Sequence, residues 1–591
     1  MRFYFITLFF TTILVNISYA VILVTNGNDS GPGSLREAIA KANTRPDVIQ
    51  FSESLTVLLS GNPLVISNTY MIDGGENTIT VSGGNVTLPF FVRSGTPTIR
   101  NLTIDRGKAK GGDGGPSVSG GGGGGGAGLG GGAFLGGGNP ILENIIFSNC
   151  NAEGGGGGIT SSDGFDRTGG GGGGGFGGKG GGAIQDGIGG SGGGGVFPSY
   201  PGQTNGNIES GALGGFGLDG VSRVGGAGGD GSPSASGKDG LPGLRFGGGG
   251  GGGESFSTRT RGGNGGFSGG GGGEGETNIP STMDSGGGHG GFGGGGGGIA
   301  DNSSGSVGLG GFGGGSGGDQ SSTSLVGNYG GGGAGIGGAL FVSQSSSATL
   351  SYTSSSAATS PFSGNSVTAG LSPHATDGQA IGPNIFLRGG GVLSFNIDDT
   401  LTLRLPSIIK TDPAEIASTI NKLGLGTLVM DPISLDSDAN DFKSTINLNE
   451  GTVLINANNN LGNPASTLVF NGGILRNSSS TFTMTCTTNL LGSGTFGVEN
   501  GTTITQNGDI SGKGSLKKIG KGTLILSGNN RYEGGTIIDE GILSISSDSH
   551  LGDPSESLVL SGGILEATSS FSSSRNIVLA GPGGVSVDSG A

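Results

Sequence analysis

The sequence predicts an all-β fold built as a stacked solenoid, and three observations carry that expectation. Outside a glycine-rich middle, short apolar strands alternate with Gly, Asn, Asp and Ser turns. Near the C-terminus a strand–turn pattern returns three times at a single offset. One short amphipathic helix precedes the strands, where a stack needs a cap because its first coil otherwise leaves a bare apolar end.

The first residues read as a leader. Arg2 supplies a positive charge, Ile6 to Val15 form a short apolar run, and Ser18-Tyr19-Ala20 ends on small residues. These are the three parts of a secretory signal peptide, with cleavage expected after Ala20. An apolar run of about ten residues is well short of the roughly 20 that span a bilayer. No later stretch is apolar enough to be a transmembrane helix, so the mature chain is expected to be soluble or tethered by something else.

Composition narrows the function classes. The net charge of −15 argues against a nucleic-acid partner, which needs a basic stripe to neutralise phosphates, and against docking on an anionic membrane. The two cysteines, Cys150 and Cys486, are too few and too far apart for a disulfide framework, so both are expected free and mostly buried.

In residues 21–110, Ser34-Leu35-Arg36-Glu37-Ala38-Ile39-Ala40-Lys41-Ala42 carries the capping-box pair Ser34 and Glu37. It sets Leu35, Ala38, Ile39 and Ala42 on one face. Strands follow around Leu64-Val65-Ile66, Tyr70 to Asp73, Thr78 to Ser82 and Thr98 to Ile104.

Residues 111–340 hold 103 of the 146 glycines. Glycine loses the most backbone entropy on ordering and buries no side chain, so disorder or loosely ordered loops leaving the solenoid are expected ahead of an ordered glycine sandwich.

Residues 341–425 return to strands, and 426–591 repeat. Glu450-Gly451-Thr452-Val453-Leu454-Ile455 returns as Glu540-Gly541-Ile542-Leu543-Ser544-Ile545, Leu461 to Pro464 as Leu551 to Pro554, and Gly472 to Leu475 as Gly562 to Leu565, each 90 positions on. Gly426-Thr427-Leu428 returns as Gly522-Thr523-Leu524, offset by 96. The final Val587 to Ala591 aligns with Val498 to Thr502, which places the last residue inside a repeat.

These residues resemble known families. Asn28 to Ile39, followed by Ala42-Asn43, is similar to the capping segment that opens many bacterial surface β-helix proteins. Gly181-Gly182-Ala183-Ile184, its variants at 131–134 and 337–340, and Phe362-Ser363-Gly364-Asn365 resemble the repeats of chlamydial polymorphic outer-membrane proteins. Lys518 to Thr536 looks like the autotransporter-associated β-strand repeat, the most specific of the three. The resemblance covers about residues 22–110 and 330–591. It implies a right-handed parallel β-helix exposed at the bacterial cell surface, associated with the outer membrane. Such passengers are normally followed by a translocator barrel, which this sequence does not contain.

Gly288-His289-Gly290 mimics a pectinase-type motif, yet no paired aspartates precede it, and Asp398-Asp399 follows it. The calcium nonapeptide pattern occurs once, at Gly214 to Val221, whereas calcium rolls need it in tandem; its nearest echo, Gly225 to Ser232, ends in a polar residue. His289, His374 and His550 have no cysteine partner nearby, which removes a zinc site of usual spacing. No Gly-Lys-Ser/Thr follows any glycine string, and the Arg-Gly-Gly strings at Arg261 and Arg388 are too few for RNA recognition. Asn, Ser and Thr in the repeats read first as hydrogen-bonded ladders along the stack and second as a polar flank for ligands.

The expectation is therefore a secreted structural or adhesive protein, with no catalytic, cofactor-binding or metal-ligating residue. Host surface proteins or glycans are its expected partners. A divergent polysaccharide-active β-helix enzyme is the alternative, and three or more carboxylates clustered on adjacent coils would distinguish it.

Overall fold

A computed structural model describes residues 20–45, 47–159, 170–175, 177–183, 189–190, 192–193, 226, 238–244, 246–253, 260–275, 286–300, 305–318, 328–353, 361–407, 409–412, 416–430 and 443–588. It is a β-solenoid in which every described strand pairing is parallel. The predicted cap is the helix Leu35–Thr44, packed on strands Val21–Val24, Val48–Phe51 and Leu64–Ile66. The Ser34 hydroxyl accepts the Glu37 N–H at 3.2 Å, while the Glu37 carboxylate accepts from the Gly33 N–H at 2.8 Å. The four residues expected on its apolar face are the four it buries.

Behind the cap, one continuous apolar column runs from Val24 to Leu565. Each coil adds a few inward residues in register, as in Ala348, Leu393, Ile420, Ile446 and Leu468. Both cysteines lie in this column as free thiols, and burial pushes Cys150 up to about 12 and Cys486 up to about 11.

Two lysines are plugged into the stack. Lys518 Nζ donates to the carbonyls of Ile519, Gly520 and Glu540 at 2.9, 2.6 and 3.1 Å. Lys422 does the same with Leu423, Gly424 and Glu450. Burial pushes both down to about 8, against an ordinary lysine near 10.5. Between those values the unfolded chain holds protons that the folded chain has shed, so this pair makes stability rise with pH across that window. The Lys422→Met, Lys518→Met double variant is expected to lose that rise, read as the difference in Tm between it and wild type at pH 7.5 and pH 10. It is also expected to lose about 1–3 kcal/mol per site at pH 7, because six carbonyls forfeit their donors.

The 90-residue offset is not a whole number of coils. Along one face Thr452 stacks on Ile474, then Thr495, Lys517 and Ile537. Ile542, the repeat equivalent of Thr452, lies around the next corner, on the face of Thr523 and Ile564. Each repeat therefore makes four turns and one further corner. Lys422 and Lys518 follow the same rule, lying in strands Ser418–Leu423 and Leu516–Ile519 of different faces.

The glycine-rich chain leaves the solenoid at one corner. Strands Lys108–Lys110, Asn151–Glu153 and Ser366–Thr368 stack, as do Gly128–Leu129, Gly335–Ile336 and Ala380–Ile381. Between them the chain departs and returns three times, at 111–127, 154–334 and 369–379. One full coil, 128–153, thus sits inside the interval expected to be glycine-rich throughout.

The described parts of these excursions are not loose loops. Residues 121–126 run through the centre of a bundle of extended segments. Their N–H groups donate in turn to Glu274, Asn328, Gly115, Gly271, Gly331 and Gly112, so the partner segment recurs every third residue. Their carbonyls accept from Gly171, Gly298, Gly158, Gly174, Gly295 and Gly155 with the same period. Three residues per turn without internal hydrogen bonds is polyproline-II geometry, and six neighbours make the packing hexagonal. A Cβ on Gly124 would collide with the Gly295 carbonyl, and most bundle glycines are confined in the same way.

Phenylalanine joins bundle to solenoid. Phe91, Phe134, Phe341 and Phe386 stack in register on the outer side of one face, with centroids 5.0–5.4 Å apart. Against them lie Phe246, Phe267, Phe292 and Phe312 from the bundle. Phe292 and Phe312 sit in tight turns closed by Gly294 N–H to Gly291 O and Gly314 N–H to Gly311 O. The residue after each ring, Gly293 or Gly313, has φ near +75°, which a type II turn requires. The Arg388 guanidinium lies 4.6 and 4.7 Å from the Phe267 and Phe292 centroids.

Candidate interaction surface

A strand in a solenoid points alternate residues inward and outward, so the outer surface is written in rows. On one face Thr419, Thr445, Thr467 and Thr487 stand directly above one another. Two residues on, the parallel row is Asn421, Asn447, Val469 and Asn489. Asn447 donates to Asn421 at 2.7 Å, Asn421 to Ser394 at 3.0 Å, and the Thr467 and Thr487 hydroxyls are 3.4 Å apart. Apart from Val469, which is buried, the rows are half-buried to exposed. They are thus both the expected ladder and an outward-facing array of hydroxyls and amides, spaced by about 4.8 Å per coil.

A second polar group lies near the cap. Arg100 sits between Asp73, at 2.7 Å, and Glu143, at 3.9 Å. Asn101 donates to Asp73 at 3.1 Å and Asn144 to Asn101 at 3.0 Å. Burial pushes the Asp73 carboxyl up, but hydrogen bonds from Arg100, the Gly75 N–H and Asn101 together hold it below the usual carboxylate range. A carboxylate held ionised and fully partnered is a poor general acid. Among the described residues, no three His, Cys, Asp or Glu side chains come together as a metal site, and no helix is long and apolar enough to cross a membrane.

The candidate residues named from the sequence are dispersed. Asp398 and Asp399 are exposed in the turn after strand Val392–Ile397, whereas His289 lies on the glycine bundle, its Nδ1 accepting the Leu309 N–H at 2.9 Å. His374 packs on Tyr329, and His550 belongs to the short 3-10 helix Asp548–Leu551. Arg388 serves the phenylalanine joint. The calcium-type pattern at 214–221 lies outside the described residues. Ala20 directly precedes the first strand, Val21–Val24, and its carbonyl accepts the Val48 N–H at 3.0 Å. The Thr/Asn rows were not singled out in the sequence, although Ser-Thr-Ile-Asn occurs twice, at 418–421 and 444–447.

Comparison with known proteins locates this architecture. The passenger-associated-transport-repeat family model matches residues 516–545. Those residues are the strands Leu516–Ile519, Thr523–Leu526, Thr536–Ile538 and Ile542–Ile545, two successive passes over two faces, with Lys518 inside. Over 84 residues the chain is 40% identical to a protein of Brucella suis biovar 1 (strain 1330) named adhesin BmaC autotransporter, an alignment covering 14% of this chain and 2% of that protein. The chain is thus autotransporter-passenger-like, while the alignment spans only about a fiftieth of the curated relative's length. No solved structure matches it.

Proposed function

We propose that this chain is a secreted, surface-displayed adhesive protein associated with the outer membrane, whose solenoid carries outward polar rows and a glycine bundle toward host or neighbouring cells. The passenger repeat carries the reading: residues 516–545 form part of an unbroken stack whose regular core leaves its outer faces as the contactable surface. The adhesin name of the Brucella relative supports it. The reading is non-catalytic: Asp73 and Glu143, the carboxylates of the polar group near the cap, both lie against Arg100.

Export fits the start of the fold. Cleavage after Ala20 leaves strand Val21–Val24 intact and gives up the Ala20 carbonyl bond to Val48. The test is retention of microspheres coated with the exported chain on cultured epithelial cells, with its N-terminus sequenced. Retention several-fold above spheres bearing an unrelated β-rich protein, from a chain starting at Val21, is expected. Retention equal to the control would refute adhesion, and an N-terminus elsewhere would refute the cleavage site.

A further inference from the structure

The outer edge of the glycine bundle is built differently from its centre. In a helix of three residues per turn, one residue in three faces outward on an edge segment, and only there is a side chain tolerated. Four edge segments lie side by side, around 239–243, 261–265, 286–290 and 306–310. Gly240 N–H donates to Arg261 O, Gly262 to Gly286 and Gly287 to Ser306, at 2.8, 3.1 and 3.1 Å. Three residues on, Gly243 donates to Asn264, Gly265 to His289 and Gly290 to Leu309. The exposed residues of the last three of these segments are Arg261 and Ser306, and beside them Asn264, His289 and Leu309.

Gly286, between Arg261 and Ser306, is buried, and a Cβ there would strike the Ser306 carbonyl. Between Arg261 and Ser306 a groove of about 360 Å³ opens over a floor of glycine peptide groups, bordered by Asp239, Asn264 and His289, with Pro242 and Val307 as its apolar patches. Three of its polar side chains are held by backbone donors. Asp239 Oδ1 accepts the Arg261 N–H at 2.7 Å, Asn264 Oδ1 the His289 N–H at 2.8 Å, and His289 Nδ1 the Leu309 N–H at 2.9 Å. The last contact fixes the neutral imidazole as its Nε2–H tautomer, a donor. Groups held in place before binding lose little entropy when a ligand arrives.

We infer that this groove binds a neutral saccharide. It offers a carboxylate, a guanidinium, an amide, an imidazole and a hydroxyl, one acidic and one basic group among them. A phosphate or sulfate calls for donors alone, a hard cation such as Ca2+ for oxygens alone, and among the described residues no three His, Cys, Asp or Glu side chains come together as a metal site. A pyranose presents hydroxyls that donate and accept together, and a C–H face that packs on apolar atoms such as those of Pro242 and Val307. The volume lies at the small end of ligand sites, of the order of 300–1,000 Å³, and suits one or two sugar rings. The inference deepens the adhesive reading and rests on it for its biological use.

The test applies the full chain to an array of neutral mono- to trisaccharides terminating in glucose, galactose, mannose, N-acetylglucosamine or N-acetylgalactosamine, beside sialylated and sulfated glycans. Retention of a subset of the neutral glycans is expected. Asp239→Asn keeps an oxygen for the Arg261 N–H, so the edge stays folded; it and Asn264→Ala are each expected to weaken binding about tenfold or more. Retention of only charged glycans, of none, or with unchanged affinity in both variants overturns the inference. Cell retention is scored separately. Cells held without any neutral saccharide bound would remove the groove and leave adhesion standing; saccharide bound without cell retention would do the reverse.

Discussion

Gly124→Val is expected to dissolve the glycine bundle while the solenoid stays folded. Gly124 donates to Gly271 and accepts from Gly174, and its Cβ would strike the Gly295 carbonyl. Overpacking an ordinary core costs about 1–3 kcal/mol because side chains shift aside. Here the obstacle is backbone, itself bonded to further backbone, so relief requires moving whole segments. A local loss above about 4 kcal/mol follows, in the range reserved for mutations that break a network. The solenoid does not depend on these segments for continuity, since Ala133–Leu135 pairs directly with Leu340–Val342 across the longest excursion. Hydrogen exchange checks this: amides at 112–126, 155–158 and 269–274 lose protection and those at 443–588 keep it. Gly156→Ala is the control, because the nearest backbone atom to its Cβ is the Leu371 oxygen at 3.3 Å, and it is expected to cost under about 1 kcal/mol. Equal protection in Gly124→Val and wild type would mean the bundle is not packed as described.

Phe341→Ala is expected to cost about 3–5 kcal/mol, the usual range for a buried ring. Phe341 is fully buried, stacks on Phe134 and Phe386 at 5.0 and 5.4 Å, and meets Phe267 and Phe292 edge-on at 6.4 and 6.0 Å. Its loss opens a cavity where the solenoid ladder and the bundle ladder meet, so added protease should cut the glycine segments faster. Urea denaturation gives the magnitude. Phe341→Leu, which keeps much of the volume, is expected to lose about half as much. A change below about 1 kcal/mol in Phe341→Ala would show that the ladders are not what joins the two parts.

The solenoid and its cap were legible because their signals are local. Ser34 and Glu37 bracket a helix start, and the alternation in Thr98 to Ile104 reads directly as the strand Thr98–Asp105. The glycine bundle is less legible, because on composition alone the entropy that glycine loses on ordering outweighs the close packing that its bare backbone allows. Without a Cβ, segments approach until every N–H and C=O finds a partner on one of six sides, a long-range arrangement that composition does not reveal. The recurring Gly-Phe turns at 291–294 and 311–314 were the available clue. The Thr/Asn rows stayed hidden for a different reason. Their members are neighbours only after register is known, and the 26-residue return of Ser-Thr-Ile-Asn was overshadowed by the longer repeat. The groove between Arg261 and Ser306 likewise depends on which segments of the bundle lie side by side, which no local pattern announces.

The extra corner in each 90-residue repeat has a consequence for how such a protein lengthens. Duplicating one unit raises the stalk by a little over four coils, about 20 Å at 4.8 Å per coil, and turns the new copy by a third of a revolution. Successive copies climb like a spiral staircase, and only after three duplications does the same motif face the same way. A gene that grows by copying this unit therefore spreads identical surface around the shaft, making the stalk reach farther and contact its surroundings from every side.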